Sequence, residues 1–259
     1  MKTQLKKIAR QLLPHSLGSH RILRGPLRGS FIVTSWHDYP RAILGNAEHA
    51  LLAYFSDNVK AGETWLDVGA NCGYTAIALC RQVGSTGRVF AFEPMAATAG
   101  CLSQTGHLNR LGQLTVVPVA LENCEDIAIE TLSSINGMVD STLKDNIGPK
   151  ETFLASRLDW LWPRIAGADH RIDGVKIDVQ GMEIQVLEGM ASLLKQFQPK
   201  LLVEIHPGVS RSDLLNLIAS FGYLPNGYAI EPLLGESEPL YADDRTYLFT
   251  VSSAIPLRI

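Results

Sequence analysis

The chain lacks an excess of positive charge: 23 Lys and Arg residues stand against 26 Asp and Glu residues in 259, and the net charge is -3. Charged residues make up only 19% of the chain and hydrophobic residues 46%, enough for a large buried core. Surfaces that bind nucleic acid usually carry a broad excess of Lys and Arg. The composition therefore favours a globular protein and argues against a nucleic-acid partner.

The sequence also lacks an apolar run that approaches the length of a membrane-spanning helix, and its start lacks the features of a secretion signal. We therefore expect a soluble, cytoplasmic protein. At the N terminus, basic and apolar residues alternate at helical spacing: Lys2, Lys6, Lys7 and Arg10 with Leu5, Ile8, Leu12 and Leu13. This pattern predicts a helix that docks on the protein or stays in solvent, or one that lies on a membrane surface.

Cysteine is scarce, and its four occurrences are scattered: Cys72, Cys80, Cys101 and Cys124. They form no CxxC pair and have no neighbouring histidine at metal-ligand spacing. We therefore expect reduced thiols and no metal site.

Short apolar runs alternate with helical patterns from Thr64 onward, as in β-α units built around a parallel sheet. The predicted strands are Thr64–Val68, Val89–Glu93, Leu114–Ala120, Val175–Val179 and Leu201–Ile205. The predicted helices are Tyr74–Val83, Ala96–Asn109, Met182–Phe197 and Ser210–Phe221, and a hairpin of Tyr223–Ile230 with Tyr247–Val251 follows. The predicted fold is α/β and Rossmann-like, with a mostly parallel sheet, an antiparallel final strand and helices on both faces.

Two regions lie outside this regular alternation. Residues 1–60 are expected to form a cover on the core, with a hairpin around residues 25–36 and a helix over residues 46–59 that Asn46 caps. Residues 61–259 form the predicted ligand-binding domain, with an insertion at about 121–173. In the insertion, Ile127–Leu132 predicts an extra strand before a polar segment, and connections this long are often functional.

The most informative segment is TWLDVGANCGYTAIAL, residues 64–79, in which a strand leads through a glycine loop into a helix. Gly69 permits a tight turn, Gly73 lets the helix pack closely, and amides at the helix start face a ligand. Glu93 ends the next strand, where a carboxylate accepts hydrogen bonds from both hydroxyls of a ribose. Together these features predict a site for an adenosine-containing ligand.

The loop lacks the middle glycine of the GxGxxG fingerprint, since it reads GANCG with Asn71 at its centre. A pyrophosphate fits this loop poorly, whereas S-adenosylmethionine has no phosphate and needs hydrogen-bonding groups for its amino acid end. The predicted cofactor contacts are Asp67, Gly69, Ala70, Asn71, Gly73, Tyr74, Glu93 and Pro94. A nicotinamide-dependent oxidoreductase and a non-catalytic adenosine-binding scaffold remain as alternatives.

Several ordered motifs resemble the FkbM family of S-adenosylmethionine-dependent methyltransferases. They are DVGANCGYTA (67–76), VFAFEP (89–94), VKIDVQGMEIQVLEGM (175–190) and LLVEIHP (201–207), and the similarity runs from about residue 45 to 225. The sequence departs from the family pattern at Gln180, where Glu is common, and in the helix after Glu93. The resemblance implies a seven-stranded methyltransferase fold, cofactor binding at residues 67–73 and at Glu93, and O-methylation of a sugar or another natural product.

Polar side chains at the ends of the fourth and fifth predicted strands are candidates for the acceptor chemistry. An alcohol needs a base within about 3 Å to lose its proton. Asp178 is the first candidate base, His206 the second, and Glu204 a third catalytic candidate. Alternatively, Asp178 binds the cofactor or caps a helix, and Glu204 and His206 bind each other. The acceptor and the oligomeric state stay open.

Overall fold

A computed structural model describes residues 13–135, 138–139, 150–166 and 171–251. The predicted N-terminal helix at residues 2–13 therefore lies almost wholly outside the described residues, as does most of the polar segment of the insertion. Within the described part of the chain, no helix is long and apolar enough to cross a membrane.

Strands and helices alternate along the described residues. The strands are β1 (Gly18–Arg21), β2 (Phe31–Thr34), β3 (Thr64–Val68), β4 (Arg88–Phe92), β5 (Leu114–Val117), β6 (Ala120–Leu121), β7 (Ile127–Ile135), β8 (Met138–Val139), β9 (Lys150–Ser156), β10 (Gly174–Ile177), β11 (Lys200–Ile205), β12 (Tyr228–Ala229) and β13 (Arg245–Phe249). The helices are α1 (Pro40–Leu44), α2 (His49–Asn58), α3 (Tyr74–Val83), α4 (Ala96–Leu108), α5 (Leu158–Ile165), α6 (Glu183–Gly189), α7 (Ala191–Phe197) and α8 (Arg211–Ser220).

The central sheet has seven strands in the order β12-β13-β11-β10-β3-β4-β5. The five strands from β11 to β5 are parallel, and β13 runs antiparallel to both β11 and β12. This confirms the predicted Rossmann-like class and its antiparallel final strand. In the sheet, β4 lies on one side of β3 and β10 lies on the other. The order of the strands therefore reverses at β3. Ligands bind beyond the carboxyl ends of the strands at such a point.

The predicted bounds of β3 and α3 are confirmed to the residue, whereas two longer predicted elements are divided. The strand predicted over Leu114–Ala120 ends at Val117, because Pro118 has no N–H for the ladder, and β6 pairs with β9 in another sheet. The helix predicted over Met182–Phe197 breaks at Met190, whose φ of -123° leaves the helical region.

Residues before β3 pack against one face of the central sheet. Ile22, Ile32 and Ile43 belong to the same buried cluster as Trp65 and Ile77 of the sheet and its helix. The predicted hairpin forms between β1 and β2, with its first strand before residue 25. The prediction that Asn46 caps the next helix is wrong, because α2 begins after Glu48, which has a positive φ of 50° and makes no side-chain cap bond.

The insertion forms a small sheet of its own, in the order β6-β9-β7-β8. Strand β7 runs antiparallel to β9 over seven residue pairs, which confirms the predicted extra strand and extends it. Helix α5 then packs Trp162 edge-on against Phe90 of the central sheet at 4.8 Å between ring centroids. The insertion is therefore anchored on the core next to the carboxyl ends of the parallel strands.

Candidate functional site

A cavity of about 790 Å³ opens beyond the carboxyl ends of β3, β4 and β10. Its volume falls within the range of about 300–1,000 Å³ that is typical of small-molecule sites. The loop after β3, the segment after β4 and the segment after β10 form its inner wall, while the N-terminal region and the insertion form the outer one. The predicted cofactor residues on its wall are Gly69, Ala70, Asn71, Tyr74, Glu93 and Pro94.

Gly69 brings the loop after β3 against the segment after β10. Its φ is +78°, and a Cβ built at this position would lie only 1.8 Å from the backbone oxygen of Asp178. A larger residue would be strained by both its backbone angle and this contact. A glycine is therefore required at this position by close backbone contact with the loop that carries a candidate base. The sequence analysis did not identify this requirement.

Gly73 acts at the other end of the same loop, as the N-cap of α3 with a φ of +94°. A Cβ here would lie 2.5 Å from Cδ1 of Leu102 on α4. Gly73 is not among the lining residues of the cavity. It therefore fits the predicted role in close helix packing, whereas direct contact with a cofactor stays a prediction.

Glu93 is buried at the cavity wall and holds the glycine loop by its backbone. Its Oε2 accepts a hydrogen bond from the amide of Asn71 at 3.1 Å, and its Oε1 accepts one from the amide of Met95 at 3.1 Å. Burial raises the pKa of Glu93 to about 7, although these two amides act in the opposite direction. The carboxylate retains lone pairs for further donors, because each of its oxygens accepts two hydrogen bonds.

Asp67, predicted to contact the cofactor, is fully buried below the cavity and does not line it. Its Oδ2 accepts a hydrogen bond from the hydroxyl of Thr75 at 2.6 Å, and its Oδ1 lies 3.3 Å from Nζ of Lys176. In this arrangement Asp67 contacts the first turn of α3 and a lysine, and its contact with a cofactor stays a prediction. Its carboxylate faces inward because the residue lies within a buried strand.

Lys176, the charged residue inside β10, is ion-paired rather than directed to solvent. Its Nζ lies 3.2 Å from Oδ2 of Asp178 and 3.3 Å from Oδ1 of Asp67, and it donates to the backbone oxygen of Gly69 at 3.3 Å. Burial lowers the pKa of Lys176, but Asp178 and Asp67 raise it more, so the net shift is upward. The ammonium therefore stays charged and ties the two loops together.

Asp178 and Gln180 follow β10 and line the cavity. The side chain of Asp178 is 27% exposed, so one face of its carboxylate is open to a ligand. Gln180 Nε2 lies 2.8 Å from Nε2 of His206 and 3.5 Å from Oδ1 of Asp178. Gln180 therefore contacts the second candidate base and lies beside the first.

His206 and Glu204 lie behind this wall, at and after the end of β11, and are not among the lining residues. His206 Nδ1 is 2.6 Å from Oε1 of the fully buried Glu183, while its Nε2 is 3.4 Å from Asp178 and 3.8 Å from Glu204. Burial lowers the pKa of His206, but the hydrogen bond to Glu183 raises it more. The three catalytic candidates thus converge, and Glu183 is the main partner of His206.

The outer wall contributes further side chains: Asp38, Tyr39 and Glu48 before β3, and Glu122, Glu130, Glu151 and Phe153 in the insertion. In β7 and β9, Glu130 pairs with Phe153, and both line the cavity. The apolar residues on the other side of β7 are exposed, with Ile127 at 53% and Ile129 at 71%. The alternation was visible in the sequence, but the polar face, not the apolar one, points to the cavity.

Comparison with known proteins gives a consistent result. The family model described as "Methyltransferase FkbM domain" matches residues 67–225. A hexuronic acid methyltransferase, AglP, from Haloferax volcanii is 26% identical over 180 residues, which cover 66% of this chain and 68% of AglP.

Among solved structures, a methyltransferase FkbM from Methylobacillus flagellatus superposes with a TM-score of 0.52 at 18% identity. The match covers 77% of this chain and 47% of the other, so the chain spans about half the length of that protein. This likeness shows the shared fold. Since the family model covers more than half of the sequence, the chain belongs to the FkbM methyltransferase family.

Proposed function

We propose that this methyltransferase uses S-adenosylmethionine and transfers the methyl group to a hydroxyl oxygen of a sugar or another natural product. The observation that carries the proposal is the bond between the glycine loop and the acid after β4, in which the Asn71 amide donates to Glu93 at 3.1 Å. The two groups expected to hold opposite parts of one adenosine-containing ligand therefore meet at one cavity.

The residues present fit this cofactor. Glu93 offers a carboxylate for ribose hydroxyls, and Gly69 and Ala70 line the cavity with little side-chain bulk. Among the described lining residues, seven are acidic, whereas Lys176 is the one Lys or Arg. A cavity with this charge attracts a sulfonium cation and offers little to a pyrophosphate. When bound, the cofactor supplies an electrophilic methyl group on a good leaving group.

The protein's own contribution is to align the acceptor and remove its proton. Asp178 is the favoured proton acceptor, because it is partly exposed and lines the cavity. His206 is the second candidate, since Glu183 orients its Nδ1 and leaves Nε2 facing Asp178. Lys176 holds the other oxygen of Asp178 in place, which keeps the carboxylate aimed at the cavity.

The acceptor class is supported by AglP, whose name states methylation of a hexuronic acid, and by the outer wall of the cavity. Tyr39 and Phe153 offer aromatic surface, and Glu122 and Glu130 offer acceptors for sugar hydroxyls. The carboxylates favour a neutral sugar over an anionic one such as a hexuronic acid, so AglP supports the carbohydrate class of the acceptor and not its charge. The cytoplasmic location, the lack of a nucleic-acid partner and the division of the chain at residue 60 stay predictions.

Calorimetric titration with S-adenosylhomocysteine and with NAD tests the cofactor. We expect S-adenosylhomocysteine to bind and NAD not to bind. Preferential binding of NAD would support the oxidoreductase alternative. Binding of S-adenosylhomocysteine without methyl transfer to any acceptor would support the scaffold alternative, and a lack of binding to either ligand would contradict an adenosine site. Transfer of labelled methyl from S-adenosylmethionine to a panel of neutral sugars, uronic acids, phenols and amines then tests the acceptor. Labelling of amines alone would contradict O-methylation.

A further inference from the structure

We propose that Asp178, Glu204 and His206 form a binding site for a divalent transition-metal cation. Each residue offers one ligand atom, and these atoms all lie within 4.8 Å of one another. His206 Nε2 is 3.4 Å from Oδ1 of Asp178 and 3.8 Å from Oε1 of Glu204. Ligand atoms about 2.1 Å from a shared metal are about 3–3.5 Å apart, so small side-chain rotations complete the site.

The carboxylate of Glu183 already orients His206. Nδ1 of His206 lies 2.6 Å from Oε1 of Glu183, a carboxylate that is fully buried and also accepts from the amide of Gly181 at 3.2 Å. This contact places the ring proton on Nδ1 and directs the lone pair of Nε2 toward Asp178 and Glu204. A carboxylate that holds the distal nitrogen of a histidine is the usual support of a metal ligand.

Asp178 and Glu204 each use one carboxylate oxygen for another contact and leave the other oxygen for a cation. Oε2 of Glu204 accepts from the hydroxyl of Thr246 at 3.2 Å, and Oδ2 of Asp178 faces Lys176 at 3.2 Å. Lys176 is shared with Asp67, so it neutralises only part of this negative charge. Oε1 of Glu204 and Oδ1 of Asp178 therefore face each other and the histidine with an excess of negative charge between them.

Gln180 marks the position that the cation would take. Its Nε2 lies 2.8 Å from Nε2 of His206 and 3.5 Å from Oδ1 of Asp178, so an amide donor faces two of the three ligand atoms. A cation would displace this NH₂ group, or the amide would turn and present its oxygen as a further ligand. Imidazole with two carboxylates suits Mn²⁺, Fe²⁺ or Zn²⁺ better than Ca²⁺, which takes oxygen ligands.

The location gives the cation a role at the methyl acceptor. Asp178 and Gln180 line the cavity, while Glu204 and His206 would hold the ion from behind. A bound cation lowers the pKa of a hydroxyl that coordinates it, so the acceptor would lose its proton more easily. Asp178 would then serve as a metal ligand. The site itself does not depend on the proposed function, since a cation binds without donor or acceptor.

Titration of the chelator-treated full chain with Mn²⁺, followed by the electron paramagnetic resonance signal of free Mn²⁺, tests the site. We expect one saturable site per chain. Glu204→Gln and His206→Gln should each weaken binding at least about tenfold, and Glu183→Gln about 10–100-fold through loss of histidine orientation. Glu130→Gln removes another carboxylate of the same cavity and should leave Mn²⁺ affinity unchanged.

Circular dichroism and S-adenosylhomocysteine binding confirm that each variant is folded, so a lost site is separated from a lost structure. Absence of saturable binding to the folded wild-type chain would overturn the proposal. Equal Mn²⁺ affinity in the wild type and in Glu204→Gln would do the same, because the metal would then lie elsewhere. A failure of S-adenosylhomocysteine to bind the wild type would count against the proposed function alone.

Discussion

The backbone amide of Asn71 and the carboxylate of Glu93 are joined at 3.1 Å across the two loops that follow β3 and β4. Asn71 has a positive φ of 49°, which places this residue in the left-handed region at the centre of the loop. Its own side-chain Oδ1 accepts from the amide of Cys72 at 2.6 Å and so holds the turn. The cofactor loop is therefore built around the acid that we propose to bind the ribose.

Donor binding should depend on pH through Glu93. In the free protein its pKa is about 7, and ribose hydroxyls donate to the ionised form, so ligand binding lowers this pKa. The affinity for S-adenosylhomocysteine should be greatest above pH 7 and fall by up to about tenfold per unit below it. Calorimetry at pH 5.5–8 measures this change. Glu93→Gln should bind more weakly and show a flat profile, and a wild-type affinity independent of pH would contradict the assignment.

Gly69→Ala should destabilise the fold through contact with the backbone oxygen of Asp178, which lies 1.8 Å from a Cβ at this position. Gly235 provides a matched control, because its φ of +83° is similar and nothing lies within 4 Å of its Cβ position. We expect Gly235→Ala to cost about 1 kcal/mol and Gly69→Ala at least about 2 kcal/mol more. Urea unfolding measures both, and equal losses would show that the contact is unimportant.

Asp178→Asn should abolish most methyl transfer while leaving donor binding intact. Removal of a general base typically costs about 10²–10⁴-fold in rate, and loss of a metal ligand also reduces the rate. The comparison is kcat against the dissociation constant of S-adenosylhomocysteine. Asp213→Asn, at an exposed acid of α8 that does not line the cavity, serves as the control and should keep kcat within a few-fold. Turnover near the wild-type rate in Asp178→Asn would exclude Asp178 from the chemistry.

Lys176→Met should destabilise the protein, since it leaves the fully buried carboxylate of Asp67 without its cation. Loss of one partner of a buried ion pair costs about 3–5 kcal/mol. The double variant Lys176→Met/Asp67→Asn should recover part of this loss, because the unpaired charge is gone. Chemical denaturation of the four proteins in the cycle measures the coupling. If the stability losses of the two single variants add up to the loss of the double variant, the ion pair contributes little.

The sequence predicted the central sheet well because its signals are local. Strand β3 is a short apolar run that ends at a glycine, and helix α3 starts directly after Gly73, so both bounds agree to the residue. Contacts between distant segments were not predictable in this way. Helix α6 ends beside Glu122, whose backbone oxygen would lie 2.3 Å from a Cβ at Gly189, and nothing near position 189 indicates that neighbour.

The sequence predicted individual residues of the candidate site but not the contacts between them. Glu93 and the glycine loop were identified from strand-end chemistry, and they do meet at the cavity. The position of Asp67 below the cavity could not be read from the motif, because it depends on a lysine 109 residues along the chain. The contact between His206 and Glu183 joins the end of β11 to the first residue of α6 in the same way.

The contact of Gly69 with the carbonyl of Asp178 has a consequence for the two ligands that we propose. The loop after β3 is proposed to face the methyl donor and the segment after β10 the methyl acceptor, and the two backbones lie in close contact. An acceptor that moves the second segment would thereby change the affinity for the donor. We expect the two affinities to be linked, with each ligand changing the affinity for the other by the same factor.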